Sequence, residues 1–283
     1  MPTITGKNSV TSLIKLDQLV FPKASLQAAK VLAYLASESP EPEQIDNAIM
    51  QDPVLAGTLI RYANSPMYRR GDEVTNVPTA TRMIGLKNVR SAVVVSTLRS
   101  VCPVDSALSQ TILSHSLAIA AMSKLIARKT CPASADDLEL MGLIHDIGMV
   151  VLASNIETDY KTLIAKSQTE SIALDELERT RYGFSHDQIA AKALHEFRLP
   201  QRHEIVLTHF HQENSGELDA EMAKERAVLV LAHRLLAEVE EVTAFNETLF
   251  ETTEALCEQI DINEEKLTTM RAQAIGLVSG QKN

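Results

Sequence analysis

Tryptophan is absent from this sequence of 283 residues, and aromatic residues make up only 4% of it. Side chains that could stack on bases are therefore scarce, which argues against a single-stranded nucleic acid ligand. Basic residues are also short, 27 against 37 acidic, for a formal charge of −10. No surface for a phosphate backbone is expected, so nucleic acid is set aside as a partner. The three cysteines, Cys102, Cys131 and Cys257, form no CxxC pair. That pattern excludes a disulfide framework and a thiolate zinc site, and it fits a reducing compartment, here expected to be the cytoplasm. The opening MPTITGKNSV carries no apolar h-region, and no stretch approaches the ~20 apolar residues that span a bilayer. No membrane association is expected. Patterns of the GxSxG, GxxxxGK[ST] and strand-linked GxGxxG kinds are missing too, which removes the serine-hydrolase, P-loop and dinucleotide readings.

What remains is rich in alanine and leucine at helical spacing, so the fold class is all-α. Helices are expected over 25–37, 43–50, 53–62, 78–84 and 86–99. Asp52 before Pro53 reads as an N-cap with proline at N1, and Gly85 as a helix stop. The run Val93-Val94-Val95 alone could pass for a strand, but its flanks keep the helical period. Pro103 marks a junction between two lobes, 1–104 and 105–283. Beyond it helices are expected near 106–129, 135–153, 158–167, 171–181, 186–197, 201–210, 219–241 and 263–278. Ser185 with Gln188 forms a capping-box pattern before the helix at 186. The acidic group Glu238, Glu240 and Glu241 and the pair Glu264-Glu265 read as solvated faces.

The segment GLIHDIG, Gly142 to Gly148, carries the most chemistry. His145 shares an apolar stripe with Leu138, Met141 and Leu152. His115 does so with Ile112, Ile119 and Met122, and His233 with Leu229 and Leu236. Three helices thus aim one histidine each at the interior, and Asp146 adds a carboxylate. Such ligands suit one divalent ion of zinc, manganese, iron or nickel. An inward histidine is also commonly a core residue bonded to a carbonyl. Periodicity leaves open whether the three helices meet. A second cluster, Glu178, His186, His209 and His211, could hold another ion or line a pocket. Its histidines at helix ends could equally serve the helix dipole. Arg69-Arg70, and Arg90 with Arg99, could meet an anion, although scattered surface arginines are commoner than anion sites.

Taken in order, these segments resemble the HDOD family, whose name means HD-related output domain. QDPVLAGTLIRYANSPMY (51–68) is similar to the family's DP-x-L and ANS segment, and ATRMIGLKNVRSAV (80–93) to its LG-x-K segment. SHSLAIAAMSKLIAR (114–128) and LELMGLIHDIGMVVL (138–152) resemble its central helix pair. ERTRYGFSHDQIAAKALHEFRLP (178–200) resembles a later block, with Phe197 where the family often has Trp. HFH (209–211) resembles the dihistidine region after it. The last forty or so residues are not covered.

The resemblance implies a multi-helix fold with an N-terminal helical lobe on an HD-like lobe. It implies a bacterial regulatory role that works through signalling proteins or a nucleotide second messenger, often without catalysis. His115, His145 and Asp146 match the H…HD part of the HD metal site. The final Asp of that site has His233 as its equivalent here. The Lys that follows HDxG in active HD-GYP enzymes is Met149 here. Both departures favour a non-catalytic signalling domain over the alternative, a metal-dependent phosphohydrolase acting on phosphate esters or nucleotides. Far-ultraviolet circular dichroism is expected to be dominated by helix; a strand-dominated spectrum would overturn the fold class.

Overall fold

The computed structural model describes residues 14–69, 71–101, 106–196, 199–212, 218–239 and 245–280. The expected junction at Pro103, together with Cys102, Arg70, Phe197, Glu240 and Glu241, lies outside them. Helices follow as α1 (Leu26–Leu35), α2 (Pro42–Met50), α3 (Pro53–Ala63), α4 (Val77–Ile84), α5 (Leu86–Val101), α6 (Ala107–Thr130) and α7 (Ala135–Ile144). After them come α8 (Ile147–Glu170), α9 (Leu174–Tyr182), α10 (His186–Glu196), α11 (Gln201–Thr208), α12 (Ala220–Ala237), α13 (Thr253–Gln259) and α14 (Glu264–Gly280). Among the described residues there is no strand.

Local chemistry sets many of these boundaries. The Asp52 carboxylate accepts from the Val54 and Leu55 N–H groups at 3.0 Å each, with Pro53 opening α3. Ser25, Asn76, Ser106, Asp219 and Thr252 cap α1, α4, α6, α12 and α13 in the same way. Gly85 stops α4 at φ +81°, a conformation that costs glycine nothing. The Ser185 N–H donates to Gln188 Oε1 at 3.2 Å, so the backbone half of the expected capping box is present.

The apolar core falls into two clusters. One gathers α1 to α4 with Val89, Ala92 and Val93. The other takes in Leu19, from the segment before α1, then Val94, Val95 and Leu98 of α5 and the later helices. α5 therefore belongs to both and is buried nearly all round from Ser91 to Leu98, which is why its valine run is helical rather than a strand. A polar knot ties the clusters together. Lys124 on α6, 2% exposed, donates from Nζ to Glu139 (2.6 Å), Tyr68 (2.7 Å) and Asn88 (3.1 Å). The Tyr62 hydroxyl donates to the other Glu139 oxygen at 2.7 Å, and Asp136 lies 2.8 Å from Nζ. The stretch Pro132–Glu170 reaches the apolarity and length of a membrane span, contrary to the sequence expectation, but 83% of that window is buried in the protein.

Three expectations need correction. The helix expected over 135–153 breaks at His145-Asp146, where α7 ends and α8 begins. The helix expected at 158–167 is the second half of α8, after a kink at Ile156 (φ −140°, ψ 44°). α13 was not anticipated at all.

Two glycines make the break useful. A Cβ on Gly148 would lie 1.9 Å from the His186 carbonyl oxygen, and one on Gly142 would lie 2.9 Å from Ala120 Cα. Their bareness lets α10 and α6 close on the two ends of the His-Asp turn. Gly148→Ala is expected to destabilise the protein by about 3 kcal/mol, because the obstacle is backbone rather than a movable side chain. Lys124→Met is expected to cost ~3–5 kcal/mol by leaving Glu139 buried without its cation. Urea unfolding midpoints measure both; unchanged midpoints would refute the packing and ion-pair arguments.

Candidate metal centre

The turn between α7 and α8 presents His145 and Asp146 side by side. The His145 Nδ1–H donates to the Gly142 carbonyl at 2.8 Å, which fixes the tautomer and turns the Nε2 lone pair inward. Nε2 then lies 3.0 Å from Asp146 Oδ2. From α6, His115 Nε2 lies 3.2 Å from the same oxygen. α12 brings His233, whose ring centroid is 5.1 Å from that of His115 and 5.8 Å from that of His145. A potential ligand atom of each of these three histidines lies within 4.8 Å of the others.

A second group forms against the first. Asp146, His186, His211 and Glu247 also hold their ligand atoms within 4.8 Å of one another. The Glu178 carboxylate orients His186, accepting from both its backbone N–H and its Nδ1–H at 2.7 Å. Tyr160 steadies that carboxylate with a 2.6 Å hydrogen bond. The His211 Nδ1–H donates to the Thr248 carbonyl at 2.9 Å. The two Nε2 atoms so aimed, of His186 and His211, face each other at 3.3 Å. Glu247 Oε2 lies 2.9 Å from His233 Nε2 and 3.7 Å from His211 Nε2, so it borders both groups, as Asp146 does.

Of the eight side chains singled out in the sequence, six converge here: His115, His145, Asp146, His233, His186 and His211. Glu178 stands one bond behind, as the orienting partner of His186. His209 belongs to neither group; its Nδ1 faces the Ile205 carbonyl at 2.8 Å. Sequence reasoning missed Glu247 and concluded that a final carboxylate was lost with His233. That inference is corrected: a carboxylate stands 2.9 Å from His233, supplied by a later segment rather than by α12. The segment is pinned on both sides. The Leu174 N–H donates to the Asn246 carbonyl (2.7 Å), Thr248 donates to Asp175 (3.0 Å) and Arg234 donates to the Leu249 carbonyl (2.8 Å).

The electrostatics fit a cation-binding centre. Burial opposes the charged form of His186, yet the Glu178 carboxylate, then Glu247 and Asp146, hold its pKa well above the ordinary imidazole value. His145 is raised likewise, with burial outweighed by Asp146. Burial lowers His233 despite Glu247. Burial and Asp146 push Glu247 upward, but His233 and His211 prevail and bring it down to about 2. Asp146 falls well below the carboxylate range, since the His145 and His115 rings outweigh its burial. Both oxygens of Asp146 and of Glu247, both ring nitrogens of His115 and of His233, and His145 Nε2 are buried with no hydrogen-bond partner. A protein core rarely leaves such a group of polar atoms unsatisfied, and imidazole with carboxylate is the donor set of divalent transition ions.

The HDOD domain model matches residues 21–213. The chain belongs to the HDOD family. Among solved structures, an HDOD domain protein of unknown function from Geobacter sulfurreducens aligns at TM-score 0.70 and 18% identity, covering 91% of this chain and 93% of its own. A protein from Shewanella amazonensis, provisionally named a phosphohydrolase, aligns at 0.71 and 18%, covering 94% and 95%. A response regulator from Methylococcus capsulatus aligns at 0.51 and 24%, covering 92% and 98%. At these identities the likeness carries the HDOD fold alone. No curated protein matches the sequence. Glu247 lies beyond the matched part of the HDOD domain.

Because His145 and His186 hold raised pKa values, they must give up protons to ligate. Metal uptake near neutral pH is therefore expected to release at least about one proton per chain, and affinity is expected to fall from about pH 8 to pH 6. Calorimetry in buffers of different ionisation enthalpy reads both; uptake without proton release would refute the assignment.

Proposed function

We propose that this chain is a regulatory HDOD protein of the bacterial cytoplasm, built around two divalent ions and acting through a signalling protein or nucleotide partner. His115, His145 and His233 would hold one ion, His186 and His211 the other, with Asp146 and Glu247 serving both. The observation that carries this reading is the set of buried, partnerless oxygens and ring nitrogens contributed by five residues from four separate parts of the chain: α6, the α7–α8 turn, α12 and the segment that carries Glu247. Free Cys131 and Cys257 are consistent with a reducing compartment. The regulatory part draws support from the signalling names of relatives, among them the Methylococcus response regulator.

One observation favours a second reading, metal-dependent hydrolysis of a phosphoester. A cleft of about 480 Å³ reaches the centre at His233 and Glu247, with Gln168, Ser171 and Asn246 on its walls. When bound, divalent ions supply positive charge and Lewis acidity toward phosphoryl oxygens. The chain's own contribution there would be to bind and orient: Asn246 and Ser171, which line the cleft with Glu247 and His233, would offer hydrogen bonds. Against this reading, Met149 follows the HDxG segment and is buried in the core, where it brings no cation to a phosphate.

Metal analysis of chain reconstituted with manganese, iron, zinc or nickel is expected to give close to two ions per chain, reduced in Asp146→Asn and Glu247→Gln. Binding of no metal would refute the centre. Turnover of phosphomonoesters and cyclic dinucleotides is expected to stay below ~1 s⁻¹. Faster metal-dependent turnover, abolished by His145→Ala and by Asp146→Ala, would establish the hydrolase instead.

A further inference from the structure

α6 has a second working face. His115 points to the metal centre, but Ser114, about 100° round the helix, lines a separate cleft of about 490 Å³ between α3, the end of α5 and α6. Arg61 of α3 and Arg99 of α5 stand on its walls. No carboxylate lines it among the described residues, although the chain carries 37 acidic residues against 27 basic ones. Arg61 forms no ion pair with any described residue. Its guanidinium hydrogen bond, from Nη2 to the Thr58 hydroxyl, is a long 3.4 Å. Two guanidinium groups on one cleft, with the exposed hydroxyl of Ser114 beside them, match the oxygens of a phosphate.

The rest of the cleft is apolar. Val54, Leu113 and Leu117 contribute a wall to it, and Val54 is 60% exposed. A bare inorganic anion would leave that wall wet, whereas a ligand with a flat organic body would cover it. The volume lies within the range of small-molecule sites, ~300–1,000 Å³. We propose that this cleft binds an organic phosphate of mononucleotide size, its phosphate on Arg61 and Arg99 and its body on Val54, Leu113 and Leu117. This site shares no residue with the metal centre and needs no ion, so it stands or falls independently of the two-ion centre, and it would give the nucleotide partner proposed above a place to bind.

ADP and pyrophosphate are the probes, titrated calorimetrically into the full chain stripped of metal with a chelator. ADP is expected to bind saturably without metal. Arg61→Gln and Arg99→Gln are each expected to weaken it about tenfold, and the double variant about a hundredfold. Both arginines are exposed, so the fold should survive, and unchanged thermal melting checks that it does. Arg271→Gln, whose arginine pairs with Glu238 outside the cleft, should leave ADP binding unaltered. Pyrophosphate should bind at least severalfold more weakly than ADP, for want of an organic body. The proposal fails if metal-free chain does not bind ADP, if the double variant binds it as tightly as the parent, or if pyrophosphate binds as well as ADP.

Discussion

Asp146 is completely buried, ionised by its neighbours, and accepts no hydrogen bond at either oxygen. Isolated in a core, such a carboxylate would cost several kcal/mol. It is tolerated because imidazoles approach it from three directions: His145 beside it in the chain, His115 from α6 and His186 from α10. Much of the surrounding architecture serves that approach. The chain breaks between α7 and α8 so that adjacent residues can face one centre. Gly142 and Gly148 omit their side chains so that α6 and α10 can come within backbone contact of that break.

Behind the ligands stands a layer of ordinary hydrogen bonds with an electrostatic purpose. The Gly142 and Thr248 carbonyls and the Glu178 carboxylate each take the Nδ1 proton of a histidine and so leave Nε2 as the donor atom. Partners of this kind raise ligand basicity and lock ring orientation. Arg226, 1% exposed, binds the carbonyls of His209 and Gln212 and the Glu251 carboxylate, tying the HFH turn to the segment that carries Glu247. The regions that supply His211 and Glu247 to the second group are thus held by one guanidinium.

The buried Lys124–Glu139 pair plays a different part. It lies away from the ligands and joins tyrosines of the first apolar cluster to α6 and α7 of the second. Since α6 carries His115 and α7 leads into His145, the same helices that anchor the N-terminal helices also fix two of the ligands. The N-terminal helices therefore brace the centre without contributing a donor to it.

Local pattern was enough to set the helices and much of their punctuation. Apolar spacing and caps act over a few residues, so Asp52-Pro53, Gly85 and the inward stripes of His115, His145 and His233 could be read directly. The sequence also held the HDOD motifs in order. The break at His145-Asp146 was not legible, because the apolar period runs on through it; only the close packing that the two glycines permit makes a turn there worthwhile. Nor was Glu247. It sits in a segment without helical period, among Glu238, Glu251 and Glu254, and nothing local separates it from acids that face water. Its role comes from the hydrogen bonds that pin the segment beside α9 and α12, and those exist only once the chain has folded. The exclusion of His209 has the same origin: two histidines one residue apart at a helix end look alike in sequence, and the turn that follows α11 decides which ring faces the centre.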